Sequence, residues 1–169
     1  MKYLYSALLL VVITCKCFAQ DADVYWKKWN DKYKEYDIIT MLKNERLYAD
    51  SVEKHPDIVP YYIRSDCYRF KGRFLGDTRP VEPAVIASMQ NVLKLTGGNS
   101  QQVSEIVDKE VLIQVGNSQF WMPIQKKVFE YFKEEVKKGD DVTLYCAFLN
   151  EHTSKNILYN NFLISEFVK

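Results

Sequence analysis

The chain has 169 residues, of which 23 are basic and 22 acidic, so its formal net charge is +1. This near balance gives no general attraction to nucleic acid or to anionic lipid. Aromatic residues make up 14% of the chain, a content that suits a small half-buried β-sheet.

The N-terminal segment has the features of a secretory signal peptide. Its apolar run LLLVVI at residues 8–13 follows Lys2, and it is too short to cross a bilayer, which takes about 20 apolar residues. We therefore predict a signal peptide at residues 1–19, cleaved after Ala19, and an exported protein that is periplasmic or extracellular. A lipid anchor at Cys15 is the alternative, although Thr14 before it suits lipid attachment poorly.

Residues 20–58 are predicted to form an N-terminal helical arm. Aromatic residues recur there at steps of three and four, which is typical of one helix face: Trp26, Trp29, Tyr33 and Tyr36. A second helical stretch is predicted from Ile38 to Val52. It should end before Pro56, because the residue that precedes a proline is disfavoured in helical geometry.

Beyond residue 60 the hydrophobic period changes to two, which predicts a β-strand. Tyr68, Phe70 and Phe74 fall on one side of this strand, and Arg69, Lys71 and Arg73 fall on the other. Gly72 within it indicates a bulge or a sharp coil. A helical insertion at residues 77–108 should follow, with a helix over residues 84–95.

The rest of the chain predicts two strand pairs separated by a helix. Residues 110–125 carry apolar runs on either side of Gly116-Asn117-Ser118, which is typical of a β-hairpin. Apolar residues at steps of four from Ile124 to Val136 then predict an amphipathic helix. Two more strands should lie on either side of residues 152–155.

This order predicts an α+β protein with a domain at residues 59–169. Without the insertion after strand 1, the order matches a five-stranded OB-like Greek-key β-barrel, in which a helix lies between strands 3 and 4. A short SH3-like barrel is the competing architecture, and it explains the helix after Pro123 less well.

The C-terminal half also resembles a group of small exported bacterial OB-fold-like proteins of unknown function. The resemblance is carried by FWMPIQKKVFEYF, GDDVTLYCAFL and FLISEF, over roughly the last 60 residues. It implies the barrel and transfers no catalytic residue.

The mature chain would keep Cys67 and Cys146, which an OB-like barrel places on adjoining strands. An oxidising compartment favours a disulfide between them. Strand parity argues against it, because Cys67 shares a face with Arg69 and Lys71 whereas Cys146 shares one with apolar residues. Both outcomes remain open at this level.

OB-like barrels bind ligands on the face of strands 2 and 3 and at the neighbouring loops. The candidate binding residues on and around that face are Gln114, Gln119, Trp121, Arg69, Lys71, Arg73, His152 and Lys155. Residues 110–125 contain no Lys or Arg, which disfavours single-stranded nucleic acid. The two histidines, His55 and His152, have no metal-ligand spacing, so we expect no metal and no cofactor. Glu151 and His152 are expected at a polar loop tip.

These features favour an exported, non-enzymatic binding module for a protein or glycan partner in the bacterial envelope. One alternative is a secreted inhibitor or immunity-type protein that blocks a hydrolase through residues 151–156. Another is a thiol-dependent hydrolase in which His152 activates Cys67. No catalytic residue is assigned.

The cleavage site can be tested by mass spectrometry of the exported protein. We expect a mature chain that begins at Gln20, since a cut after Ala19 fits the small-residue rule for signal cleavage. An intact mass that corresponds to a lipidated Cys15 would contradict this prediction.

Overall fold

A computed structural model describes residues 24–55, residue 57 and residues 62–169. The chain divides into two compact units, residues 1–34 and 35–169. The predicted signal peptide, with Cys15 and Cys17, lies outside the described residues.

The described part of the first unit is helix α1, at residues 24–32. The predicted aromatic spacing is reflected here, since the rings of Trp29 and Tyr33 stack with centroids 5.0 Å apart. Lys27 and Asp31 form an ion pair of 2.8 Å one helical turn apart. The predicted continuation of this stripe to Tyr36 is wrong, because Tyr36 follows the short strand β1 rather than lying in the helix.

The second unit mixes helices and strands in the predicted order. The elements after α1 are β1 (Lys34–Glu35), α2 (Ile38–Lys54), β2 (Tyr62–Pro80), α3 (Pro83–Leu95), α4 (Gln102–Ile106), β3 (Val107–Val115), β4 (Ser118–Gln125), α5 (Lys126–Glu135), β5 (Asp141–His152) and β6 (Leu158–Val168). Asp37 caps α2, since its carboxylate accepts hydrogen bonds from the backbone N–H groups of Ile39 and Thr40. The β3–β4 hairpin turns on Gly116, whose φ of 58° suits the tight two-residue loop.

The strands form one six-stranded mixed sheet in the order β1-β2-β3-β4-β6-β5, and β2 also pairs with β5. The hydrogen bonds therefore ring through the five strands β2 to β6. The β4–β6 contact is parallel and is limited to the pair Ile124 and Ile164. The predicted α+β class, five main strands and a helix between the third and fourth of them are confirmed.

Strand β2 is much longer than predicted, and it belongs to two ladders. Its first part, Tyr62 to Arg73, pairs antiparallel with β5, and its second part, from Arg73 to Pro80, pairs antiparallel with β3. Of the two alternatives predicted at Gly72, a bulge is not seen, because the β5 ladder is continuous there. The irregularity lies instead on the β3 side, between Phe74 and Thr78.

Two apolar cores lie on opposite faces of the sheet. The inner core fills the strand ring and includes Phe70, Val111, Met122, Phe148 and Phe162. Helix α2 adds Ile38 and Met41 to it, and α5 adds Phe132. The outer core lies under the insertion, where Met89 and Val92 of α3 and Val103 of α4 pack against Leu149 and Leu163.

Gly72 is required by close packing. A Cβ atom at this position would lie 2.5 Å from Cγ2 of Ile113, a buried residue of the neighbouring strand β3. Overpacking a core in this way forces side chains and backbone to shift. The absent side chain therefore lets β2 pass close to β3 where it changes partners.

We expect Gly72→Ala to lower the free energy of unfolding by about 1–3 kcal/mol, because the added methyl group overlaps Ile113. Urea unfolding followed by circular dichroism would measure the loss. Lys71→Ala, at the exposed neighbouring position, serves as the control and should change stability by no more than about 0.5 kcal/mol. Equal stability of the Gly72→Ala variant and the wild type would contradict the packing argument.

Candidate functional site

An open cleft of about 620 Å³ lies on the outer face of the sheet, where β2 changes partners. Arg73 is at its centre, since it is paired with Asp141 of β5 and with Gln114 of β3. The cleft is lined by Lys71, Gly72, Arg73, Gln114, Gly116, Asp141, Val142, Thr143, Val168 and Lys169. Three of the predicted binding residues, Lys71, Arg73 and Gln114, therefore come together here.

Two ion pairs neutralise part of the charge at the cleft. Arg73 binds Asp141 with both ends of its guanidinium, at 2.8 and 3.1 Å. This hydrogen-bonded contact lowers the pKa of Asp141. Lys169 donates to Asp140 at 2.7 Å, and that contact lowers the pKa of Asp140. Both carboxylates thus have cationic partners from the chain itself.

Lys71 differs from these paired cations. It is exposed, and it makes no hydrogen bond or ion pair of its own with another described residue. It also borders a second, smaller pocket of about 350 Å³, which is lined by Tyr36, Ile38, Phe70 and Val115 among others. Its ammonium group is therefore placed to meet a ligand in either pocket.

Gln119 and Trp121, two further predicted binding residues, lie on the outer face of the β3–β4 hairpin. Gln119 is exposed and lies opposite Gln114, next to the cleft. Trp121 lies farther along, and the guanidinium of Arg79 covers its ring at 4.4 Å from the centroid. A face of the indole is thus already occupied within the chain.

Arg79 also neutralises a buried carboxylate. Its Nε donates to Glu110 at 2.7 Å, and only 2% of the Glu110 side chain is exposed. Burial raises the pKa of Glu110, while the hydrogen bond from Arg79 acts in the opposite direction. Arg79 therefore has a structural role that fixes it over Trp121.

Arg69 lies outside the cleft. Its guanidinium contacts Glu35 at 3.1 Å, and only 23% of its side chain is exposed. The three basic residues predicted on one strand face therefore have different environments. Arg69 pairs with Glu35, and Arg73 pairs with Asp141. Lys71 lies between the two pockets.

The expected loop position of Glu151 and His152 is wrong. Both residues belong to β5 and are buried, and His152 is 0% exposed. The ladder with β6 continues to the pair of His152 and Leu158, so the turn begins only at Thr153. Lys155, in contrast, lies in this exposed turn.

His152 is held between α2 and the sheet. Its Nε2 lies 3.0 Å from Oε1 of Glu53, and its ring stacks on Tyr62 with centroids 5.3 Å apart. The hydrogen bonds from Arg46 and from His152 lower the pKa of Glu53. The contact to Glu53 satisfies Nε2 of the buried ring, whereas its Nδ1 has no hydrogen-bond partner among the described residues.

The proposed pairing of Cys67 with Cys146 is not seen. The strands are adjacent, but Cys67 lies opposite Ala147 and Cys146 lies opposite Tyr68, so the two thiols point to opposite faces. Cys146 is in the inner core, where burial raises the pKa of its thiol. The parity argument from the sequence was therefore correct.

The same register separates Cys67 from His152. They are five residue steps apart in the β2–β5 ladder, which is about 17 Å along the strands. They also lie on opposite faces, since His152 shares its face with Cys146. This arrangement does not bring the imidazole within hydrogen-bond reach of the Cys67 sulfur.

Several residues of the site were missed because their sequence surroundings carry no signal. Thr143 and Lys169 reach the cleft only through the β2–β5 and β5–β6 registers. Asp140 and Asp141 were not among the predicted site residues, and each forms an ion pair. Within the described ranges, no group of three His, Cys, Asp or Glu side chains is arranged to hold a metal ion.

We expect His152→Ala to lower the free energy of unfolding by about 2–4 kcal/mol, because it leaves a cavity and removes the contact to Glu53. Glu53→Gln keeps a hydrogen-bond acceptor for the ring and should cost about 1 kcal/mol. Chemical denaturation would measure both, with Lys155→Ala as the surface control. A His152→Ala variant as stable as this control would contradict a structural role for the buried imidazole.

Comparison with known proteins yields no relative. Neither a family model, nor a curated protein, nor a solved structure matches the chain. Among the described helices, none combines the length and the hydropathy needed to span a membrane. The resemblance of the C-terminal half to exported OB-fold-like proteins remains a prediction.

Proposed function

We propose that the protein is an exported, non-enzymatic binding module and that the cleft at Arg73 is its partner site. The observation that carries this proposal is the convergence of polar side chains from β2, β3, β5 and the C-terminal Lys169 on one open cleft. Lys71, Gln114 and Thr143 offer an ammonium group, an amide and a hydroxyl within a space of about 620 Å³. Such a set of hydrogen-bond donors and acceptors is suited to a polar polymer segment of a partner.

The strand order supports an OB-like Greek-key barrel as the scaffold. In that fold five strands close on each other, with a helix between the third and the fourth. Here β5 follows α5 and returns to pair with β2, and β6 reaches β4 through a parallel contact. OB-like barrels bind on the face of their second and third strands, which correspond to β3 and β4. Of these two strands, β3 lines the cleft, through Gln114.

The lining of the cleft favours a protein partner over a glycan. Sugar sites commonly offer an aromatic ring for stacking, and no ring occurs among the residues that line the cleft. Trp121 has Arg79 on its ring instead. An extended peptide segment with a carboxylate suits Lys71, which forms no ion pair within 4 Å with a described side chain. The pKa of Asp141 is lowered mainly by the hydrogen bond from Arg73, and the charge of Lys71 lowers it further. No cofactor is required for this function.

The two alternatives have weaker support. An inhibitor or immunity-type protein would use the loop after β5, but burial of Glu151 and His152 leaves only a short exposed turn around Ser154, Lys155 and Asn156. A thiol-dependent hydrolase needs Cys67 and His152 in contact, and the β2–β5 register separates them.

Affinity capture from an envelope extract tests the proposal. The wild type should retain a partner that a Lys71→Glu, Gln114→Ala double variant binds at least about tenfold more weakly, because the variant reverses one charge and removes one amide. Trp121→Ala should retain the partner, because Trp121 lies outside the cleft.

Lys155→Glu is the matched control, since it changes the same charge on the distant exposed turn. Circular dichroism would verify that each variant is folded. Equal retention of the partner by the cleft variant and the wild type would remove the cleft as the binding site. Loss of the partner only in the Lys155→Glu variant would instead favour the inhibitor alternative.

A further inference from the structure

The N-terminal part of β2 has the solvent exposure expected of a strand at the edge of a sheet. Arg64, Ser65 and Asp66 are consecutive in the strand, and all three are exposed. Their β5 partners Asn150 and Phe148 are fully buried. Side chains on both faces of β2 therefore reach solvent here, as expected for a strand with a neighbour on one side only.

The backbone direction identifies which groups face this edge. Tyr36 donates its N–H to the carbonyl of Arg69 at 3.1 Å, on the side of β2 away from β5. Because backbone groups alternate sides along a strand, the N–H and C=O of Ser65 point the same way. Strand β1 also neighbours β2 on this side, where Tyr36, the residue after β1, bonds Arg69. Strand β3 pairs with β2 only from Arg73 onward, so among the described residues no strand pairing is seen at Ser65 itself on this side.

We propose that two copies of this protein associate through this edge, in an antiparallel pairing centred on Ser65. Within one copy, Arg64 already donates to the buried Glu45 at 2.7 Å. In the proposed register Arg64 of each copy also lies opposite Asp66 of the other, so each guanidinium gains a second carboxylate and two cross-strand ion pairs form. Tyr62 lies opposite Tyr68, which adds two aromatic pairs. Opposite charges and aromatic residues stabilise directly facing positions of antiparallel strands. The self-complementary sequence is the reason to choose a second copy as the occupant.

Exposed apolar side chains of α2 border the same edge. The Tyr48 ring lies 4.7 Å from that of Tyr62, and the guanidinium of Arg64 lies 5.4 Å from the Tyr48 ring. Tyr48 and its neighbour Leu47 are 41% and 58% exposed. The two-fold axis of an antiparallel edge pairing is perpendicular to the sheet, so both α2 helices lie on one face. Their exposed side chains then approach each other across the axis.

Sedimentation velocity over a concentration series tests the pairing. The wild type should show a concentration-dependent dimer. Asp66→Lys places a like charge opposite Arg64 twice in the interface and should weaken the dimer by about tenfold or more. Adding Arg64→Glu to that variant restores opposite charges and should restore the dimer. Lys155→Glu is the surface control and should dimerise as the wild type does.

Arg64→Glu also removes the ion pair with Glu45 within each copy. A crosslinking variant tests the same pairing without changing Arg64. Facing residues in such a pair have Cα atoms about 5.5 Å apart, which is within the range of a disulfide. Ser65→Cys should therefore give covalent dimers on mild oxidation, while Ser154→Cys, on the exposed turn, should not. A wild type that stays monomeric at every concentration, or a Ser65→Cys variant that crosslinks no more than Ser154→Cys, would overturn the proposal.

Discussion

The rest of the fold depends on the sharing of β2 between two ladders. Within 19 residues this strand pairs first with β5 and then with β3, and Arg73 has a partner on both sides. A strand that serves two neighbours in succession has to coil, and this coil turns the sheet into a ring. Gly72 allows it, since a side chain there would overlap Ile113 of β3.

The two ends of β2 have different surroundings as a result. From Phe70 onward its inward side chains belong to the apolar core inside the ring. Before Tyr68 it belongs to a layer of β2, β5 and β6 that has α2 on one face and α3 on the other. On the α2 face the layer becomes polar, with Asn150, His152 and Glu45 buried. One atom of each group is paired, with Asn160, Glu53 and Arg64 respectively. A second buried atom of each group has no hydrogen-bond partner among the described residues.

Local patterns in the sequence predicted most of this architecture. Period-two alternation identified the face of Phe70 and Phe74, and the glycine-containing turn after Val115 identified the hairpin. These signals depend only on neighbouring residues, so they can be recognised without knowledge of the tertiary structure. Parity along the strands likewise placed Cys67 and Cys146 on opposite faces correctly.

Features that depend on strand register could not be predicted from the sequence. His152 follows a strand and precedes a polar turn, which is the sequence context of a loop tip. Only the packing of α2 over this end of the ladder, with Glu53 in reach, makes the position buried. The cleft was found only in part for the same reason: Lys71, Arg73 and Gln114 lie on predicted strands, whereas Thr143 and Lys169 join them through pairings of residues distant in the chain.

The length of β2 also relates the proposed partner site to the proposed dimer. Ser65 and Arg73 have the same strand parity, so the cleft lies on the face of the sheet opposite α2. A two-fold axis at Ser65 keeps both clefts on that one face, at most about 54 Å apart for an extended strand. Two sites on one face can engage a repeated or membrane-attached partner together, which raises the overall affinity without any new contact. A single long strand would thus supply both the proposed site and its duplication in the proposed dimer.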